Sequence, residues 1–233
     1  MSAQAYIEDQ LDEQPAIDET KLQSRGWVSF QLRTQTEKDL QVKLLSLADR
    51  LGKPASTRSG RGLCDVLLPT ESNDAKPHSL SKVYAFGEFP MHTDTAHWLK
   101  PCRFVILACV SPGRARRPTL LLDTRRLPFN EYQSSLLRST PLRITNGRNS
   151  FFSTILSKGR PFVRFDPGCM TATTCDGSNA LAVLAHRNWP EYIEIIQWEE
   201  GTVLVLDNWR VLHGRGHADC PDFDRSLLRV SVR

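Results

Sequence analysis

The chain has no apolar run approaching the ~18 residues that a membrane-spanning helix requires, so no such span is expected. Its N-terminus is acidic and lacks the apolar core of a secretory signal, which makes a cytoplasmic protein the expectation. None of the six cysteines (Cys64, Cys102, Cys109, Cys169, Cys175 and Cys220) stands in a CxxC spacing. They read as reduced thiols, and a zinc site built from them is not indicated. Lys and Arg are absent from residues 1–20, which carry Glu8, Asp9, Asp12, Glu13, Asp18 and Glu19. Residues 1–22 therefore read as a flexible acidic arm, and residues 23–233 as one domain. The Gly- and Arg-rich stretch 56–62 lacks the Gly-Lys-Ser/Thr ending of a phosphate-binding loop and reads as a mobile surface loop.

What is present fits a globular chain of 233 residues, 40% hydrophobic, with a net charge of +4. All 30 lysines and arginines lie beyond residue 20. Such a body attracts acidic ligands or nucleic acid. No aromatic-interleaved basic stripe accompanies the charge, so a nucleic-acid partner is disfavoured.

Alternation predicts a first strand over 26–32. Thr34 with Glu37 forms a capping box opening a helix that places Leu40, Leu44, Leu47 and Leu51 on one face and stops at Gly52-Lys53-Pro54. Residues 55–82 show little periodicity. Further strands are expected over 103–110, 119–123, 192–198, 202–208 and 225–233, helices over 129–137 and 180–187, and a hairpin pairing 149–156 with 161–166. Many short strands with peripheral helices and no repeat give a mainly β fold, the double-stranded β-helix or jelly roll.

The chemistry centres on His92-Thr93-Asp94. Residues i and i+2 of a strand share a side, so both side chains can face one ion. A second histidine, His213, follows the buried strand that begins after Gly201. Two imidazoles and one carboxylate hold a divalent iron on one face and leave adjacent positions open.

Taken together, His92, Asp94, Thr119, the segment from Gly201 through Asp207-Asn208 to His213-Gly214-Arg215, and the final pair Arg225 and Arg229 resemble the TauD/TfdA, clavaminate-synthase-like family of Fe(II)/2-oxoglutarate-dependent dioxygenases. The resemblance covers roughly residues 25–233. It implies that His92, Asp94 and His213 bind iron and form the catalytic centre. It further implies that Thr119 and Arg225 hold the cosubstrate 2-oxoglutarate, with O2 as the oxidant, and that Arg229 receives an acidic group of the substrate. Glu88 and Asp166 are candidates for a substrate amine. A carboxylate at position 94 favours hydroxylation over halogenation.

The expected function is oxidation, chiefly hydroxylation, of a C–H bond in a small carboxylate- or sulfonate-bearing molecule, an amino acid among the candidates, with release of succinate and CO2. Two alternatives stand beside it: a dioxygenase acting on a nucleic-acid or protein side chain, and a non-catalytic jelly-roll binding module. A homo-oligomer is compatible with the sequence.

Overall fold

In the computed structural model of the chain, the described residues are 17–57, 62–75, 80–156, 159, 162–185 and 188–233. Two antiparallel sheets form the body. The larger runs β1 (Trp27–Gln31), β11 (Thr202–Asp207), β5 (Phe104–Ser111), β13 (Ser226–Val232) and β2 (Pro54–Ala55), with β3 (Cys64–Leu67) also pairing β13. The smaller runs β10 (Ile193–Ile196), β6 (Thr119–Asp123), β12 (Val211–Arg215) and β4 (Phe89–His92). A third small sheet orders β8 (Asn149–Ser153), β7 (Leu142–Asn146) and β9 (Met170–Thr171). This is the jelly roll the sequence predicts.

Strand alternation sorts the side chains into three cores. Phe104, Ile106 and Ala108 of β5, Val203 and Val205 of β11, and Leu228, Val230 and Val232 of β13 pack under the Glu37–Leu51 helix through Leu40, Leu44 and Leu47. Their neighbours Val105, Leu107, Cys109, Leu204, Leu206 and Leu227 point the other way and meet Leu121 and Val211 of the smaller sheet. The outer face of the smaller sheet, with Met91, Leu122 and Leu212, is covered by the helices Glu131–Ser139 and Cys175–Val183. The odd positions of β13, β12 and β6 therefore all face the space between the two sheets, and so does whatever chemistry they carry.

Several expectations need correction. Residues 1–16 of the predicted arm lie outside the described residues, but residues 17–25 pack onto the body. Asp18 caps a helix, Glu19–Arg25, and both Ile17 and Leu22 are buried in the helix-side core. One apolar residue per turn is enough to anchor so short a helix, and the surrounding charge hides it in the sequence. The Glu37–Leu51 helix is capped by Thr36, not Thr34: Thr36 is extended and its hydroxyl accepts from the Asp39 amide.

The stretch 55–82 takes in the last residue of β2 and all of β3 and runs into the short helix Leu80–Tyr84. Within the loop 56–62, residues 58–61 lie outside the described residues. The hairpin is β7 with β8, turning at Gly147-Arg148 with Gly147 at φ +59°, where glycine is favoured. Between the predicted strands 149–156 and 161–166, the described residues make an isolated bridge, Leu156 to Val163, and no ladder. The second helix begins at Cys175, capped by Thr174, five residues before the apolar run suggests.

Candidate metal centre and anion pocket

β4 is the edge strand of the smaller sheet, which accommodates Pro90. Its pairing with β12 sets His92 directly opposite His213, and their ring centroids are 4.4 Å apart. The distant histidine is thus brought in by strand register. Asp94 follows two residues after His92, and its oxygens lie 3.7 Å from His92 Nε2 and 3.9 Å from His213 Nε2. The ligand atoms of all three residues fall within 4.8 Å of one another. Donors about 2.1 Å from a shared ion are separated by at most about 4.2 Å, so both carboxylate–imidazole separations suit one divalent ion.

The surroundings hold these groups in place. His92 Nδ1 is 3.0 Å from the Pro90 carbonyl, which fixes Nε2 as the nitrogen that faces Asp94. The Asp94 amide donates to Asn208 Oδ1 at 2.8 Å, and Asn208 Nδ2 donates to the carbonyls of Asp94 and Cys102 at 3.1 and 2.8 Å. Thr95, at φ +56°, is a β-branched residue in the left-handed region, a strained conformation of the kind found beside functional groups. Its hydroxyl donates to the Asp94 carbonyl and accepts from the Cys102 amide. The following turn is held by the buried Arg164, which donates to the carbonyls of Ala96, Trp98 and Leu99.

Electrostatics favour donation to a cation. Burial, with the neighbouring His92, pushes His213 down to about 3, which leaves a neutral imidazole. Burial works to raise Asp94, but the Arg229 guanidinium and the two histidines hold it well below the usual carboxylate range. Burial works to lower His92, but its hydrogen bond to Asp94 and that carboxylate's charge raise it, so a bound ion would displace its proton. By residue type the set, two imidazoles and an ionised carboxylate, fits iron(II).

A second cluster lies on the same inner face. Thr119 of β6 pairs with Arg215 of β12, and its hydroxyl accepts from Trp198 Nε1 at 3.0 Å, leaving the hydroxyl proton available to a ligand. Arg225 immediately precedes β13. Burial lowers it to about 10, opposed by Asp222, while Arg117 lowers it further. Burial lowers Arg215 to about 9, with Arg117 and Arg225 adding to the effect. Arg215 donates to the carbonyls of Gly87 and Ala85 and Arg117 to that of Gly216, so Arg225 is the guanidinium of the three with the best claim to an acid, and the other two add positive potential around it.

The predicted substrate residues are dispersed. Glu88 lies on the wall of a cavity of about 610 Å³ shared with Arg117 and His217, and its carboxylate is 3.0 Å from His217 Nδ1. Asp166 heads the turn after Phe165, beside a cavity of about 310 Å³ walled by Pro90, Met91, Phe165 and Leu184, and its charge reaches His92. Arg229 reaches Asp94 and Asp65 of the chain itself: Nη1 is 3.0 and 3.2 Å from the two Asp94 oxygens and Nη2 is 2.9 Å from Asp65. That differs from the role of receiving a substrate acid. Asp65 was missed because β3 is only four residues long in a segment without visible period.

Two β-sheets of a jelly roll thus enclose a His/Asp/His group. Residues 128–231 match the model of the taurine catabolism dioxygenase TauD, TfdA family, the family the motifs resemble. That match spans a little under half of the chain. No curated protein sequence matches the chain.

Among solved structures, the chain shares its fold with an asparagine oxygenase in complex with Fe(II), 3-hydroxyasparagine and succinate. That likeness has a TM-score of 0.74 at 17% identity and covers 98% of this chain and 79% of that one. The non-haem iron oxygenase OrfP in complex with Fe has a TM-score of 0.68 at 18% identity, covering 92% and 76%. PvcB, an Fe, α-ketoglutarate-dependent oxygenase from an isonitrile synthetic pathway, has a TM-score of 0.65 at 18% identity, covering 92% and 78%. Among the described residues no helix is long and apolar enough to cross a membrane.

Proposed function

We propose that the protein hydroxylates a C–H bond of a small amino acid or a similar acid-bearing molecule, holding Fe(II) on His92, Asp94 and His213 and 2-oxoglutarate against Arg225 and Thr119. The observation that carries this reading is the convergence of the three ligand side chains from two paired strands and the turn that follows one of them. When bound, iron with 2-oxoglutarate and O2 supplies the oxidising power that converts C–H to C–OH, with succinate and CO2 as the other products.

The chain's own residues do the rest. Arg225 offers a fork that matches a carboxylate bidentately, and Thr119 adds a hydroxyl donor on the same inner face. Arg117 and Arg215 add positive potential that favours a dianion over a monoacid. Asn208 fixes the Asp94 backbone so that the carboxylate keeps its heading. Asp166 is the anionic group suited to a substrate ammonium beside the metal face, and Glu88, on the wall of the larger cavity, is the second candidate. The relatives crystallised with hydroxyasparagine or hydroxyarginine support an amino acid as the substrate class.

The test is an anaerobic titration of apo-protein with Fe(II) and then 2-oxoglutarate, followed by visible absorption. A charge-transfer band that is lost in His92→Ala and weakened in Arg225→Ala is expected, and succinate release is then screened against free amino acids. A folded protein that gives no band with excess iron would leave a jelly-roll binding module as the better reading.

A further inference from the structure

Arg229 lies on β13 directly opposite Asp65 of β3, and both side chains turn toward the space between the sheets. Arg229 Nη2 donates to Asp65 Oδ2 at 2.9 Å, and the Thr57 hydroxyl donates to the same oxygen at 2.7 Å. On its other side Arg229 Nη1 spans both oxygens of Asp94 at 3.0 and 3.2 Å. Side-chain exposure is 16% for Arg229, 10% for Asp65 and 7% for Asp94, so little solvent screens the row.

A guanidinium against the carboxylate of a metal face has two opposed effects. The charge-assisted hydrogen bonds fix the carboxylate's rotation and aim it between the histidines. The same positive charge competes with the ion for the carboxylate's electrons and repels the ion itself. A second carboxylate behind the guanidinium strengthens the first effect, by locking the fork, and offsets the second.

We propose that Asp65 is a positioning residue for the metal centre: acting through Arg229, it holds the Asp94 carboxylate in its ligating orientation and restores its strength as a donor. The inference rests on the reading of His92, Asp94 and His213 as metal ligands. It gives Arg229 a role inside the protein, as the link between an outer carboxylate and an inner one. Outer-shell partners of this kind typically change metal affinity by about 10- to 100-fold when removed.

Mn(II) binding to apo-protein, followed by calorimetry and by the electron paramagnetic resonance signal of free Mn(II), tests this without turnover. Asp65→Asn is expected to weaken Mn(II) binding by about 10- to 100-fold while circular dichroism and the melting temperature stay near wild type. Adding Arg229→Gln to Asp65→Asn removes the uncompensated cation, and the double variant is expected to bind Mn(II) more tightly than Asp65→Asn alone. A merely structural strut predicts the reverse, since the second substitution then only adds damage.

Affinity of Asp65→Asn within twofold of wild type, or a double variant no tighter than the single one, would overturn the proposal. Wild-type protein that takes no Mn(II) would instead sink the metal reading beneath it. Should Asp65→Asn not fold, Arg229→Lys carries the test. Lysine keeps the charge but cannot brace two carboxylates, so at least a tenfold loss is expected and unchanged affinity counts against the idea.

Discussion

Asn208 and Asp94 exchange hydrogen bonds in both directions: the Asp94 amide donates to Asn208 Oδ1 at 2.8 Å and Asn208 Nδ2 returns to the Asp94 carbonyl at 3.1 Å. The two residues are 114 positions apart, yet one side chain bonds both the amide and the carbonyl of Asp94. Asn208 is fully buried, so water cannot replace it. Asn208→Leu leaves the buried Asp94 amide and the Cys102 carbonyl without this partner, while the Asp94 carbonyl keeps the Thr95 hydroxyl. A loss of roughly 2–4 kcal/mol of folding stability is expected, read as a lower denaturant midpoint at unchanged slope, together with weaker Mn(II) binding. A stability within about 0.5 kcal/mol of wild type would show that the backbone here finds other partners.

Arg225→Ala is expected to raise the KM for 2-oxoglutarate by about 10- to 100-fold, the worth of one charge-assisted bond at about 1.5–3 kcal/mol, while leaving Mn(II) affinity within a few fold. Arg225→Lys keeps the charge but loses the fork and is expected to fall between the two. Equal losses of 2-oxoglutarate and Mn(II) binding would mean that Arg225 supports the fold near the metal and not the cosubstrate.

The grouping of His92, Asp94 and His213 is legible in the sequence from residue type and spacing. The roles of Thr119 and Arg225 come only from the motif the chain resembles and stay proposals. What stayed hidden depends on register. Asp65 matters because β3 aligns it with Arg229, and Asn208 because its loop folds back onto Asp94; neither pairing leaves a local periodicity in the chain. The same holds for the hairpin, where Asn146-Gly147 was the better turn signal than the longer apolar stretch after it. The capping error, Thr34 for Thr36, is of another kind: both threonines are plausible caps, and only the extended backbone at Thr36 decides between them.

The cysteines offer a check of burial that needs neither metal nor turnover. Cys102 and Cys109 are buried and their thiols are pushed up to about 12 by burial, with Asp94 adding to the effect at Cys102. Cys175 and Cys220 are exposed. A raised thiol pKa keeps the group protonated below it, and the thiolate is the reactive form. At pH 8 in native buffer a disulfide reagent is expected to label Cys175 and Cys220 quickly and to spare Cys102 and Cys109. All six should react once the chain is unfolded. Rapid labelling of Cys109 in the native protein would contradict the packing between the two sheets.

Arg210 ties the N-terminal helix to the strand that leads to His213. Its Nε and Nη2 reach the two Asp123 oxygens at 2.8 and 2.5 Å, while Nη1 and Nη2 donate to the carbonyls of Gln23 and Ser24 at 2.8 Å. Both members of the ion pair are buried, with side chains 8% and 2% exposed. Removing one partner strands a charge, whereas removing both leaves an apolar contact. Arg210→Met alone is therefore expected to cost about 3–5 kcal/mol, and Arg210→Met with Asp123→Leu to recover a large part of that loss. The helix end is predicted to respond differently. The carbonyls of Gln23 and Ser24 lose their donor in both variants, so amide exchange over Glu19–Arg25 should quicken in the single and the double variant alike. Restored global stability with a frayed helix would separate the two functions of one side chain, whereas a helix that regains full protection in the double variant would show that Arg210 holds it only through the stability of the whole.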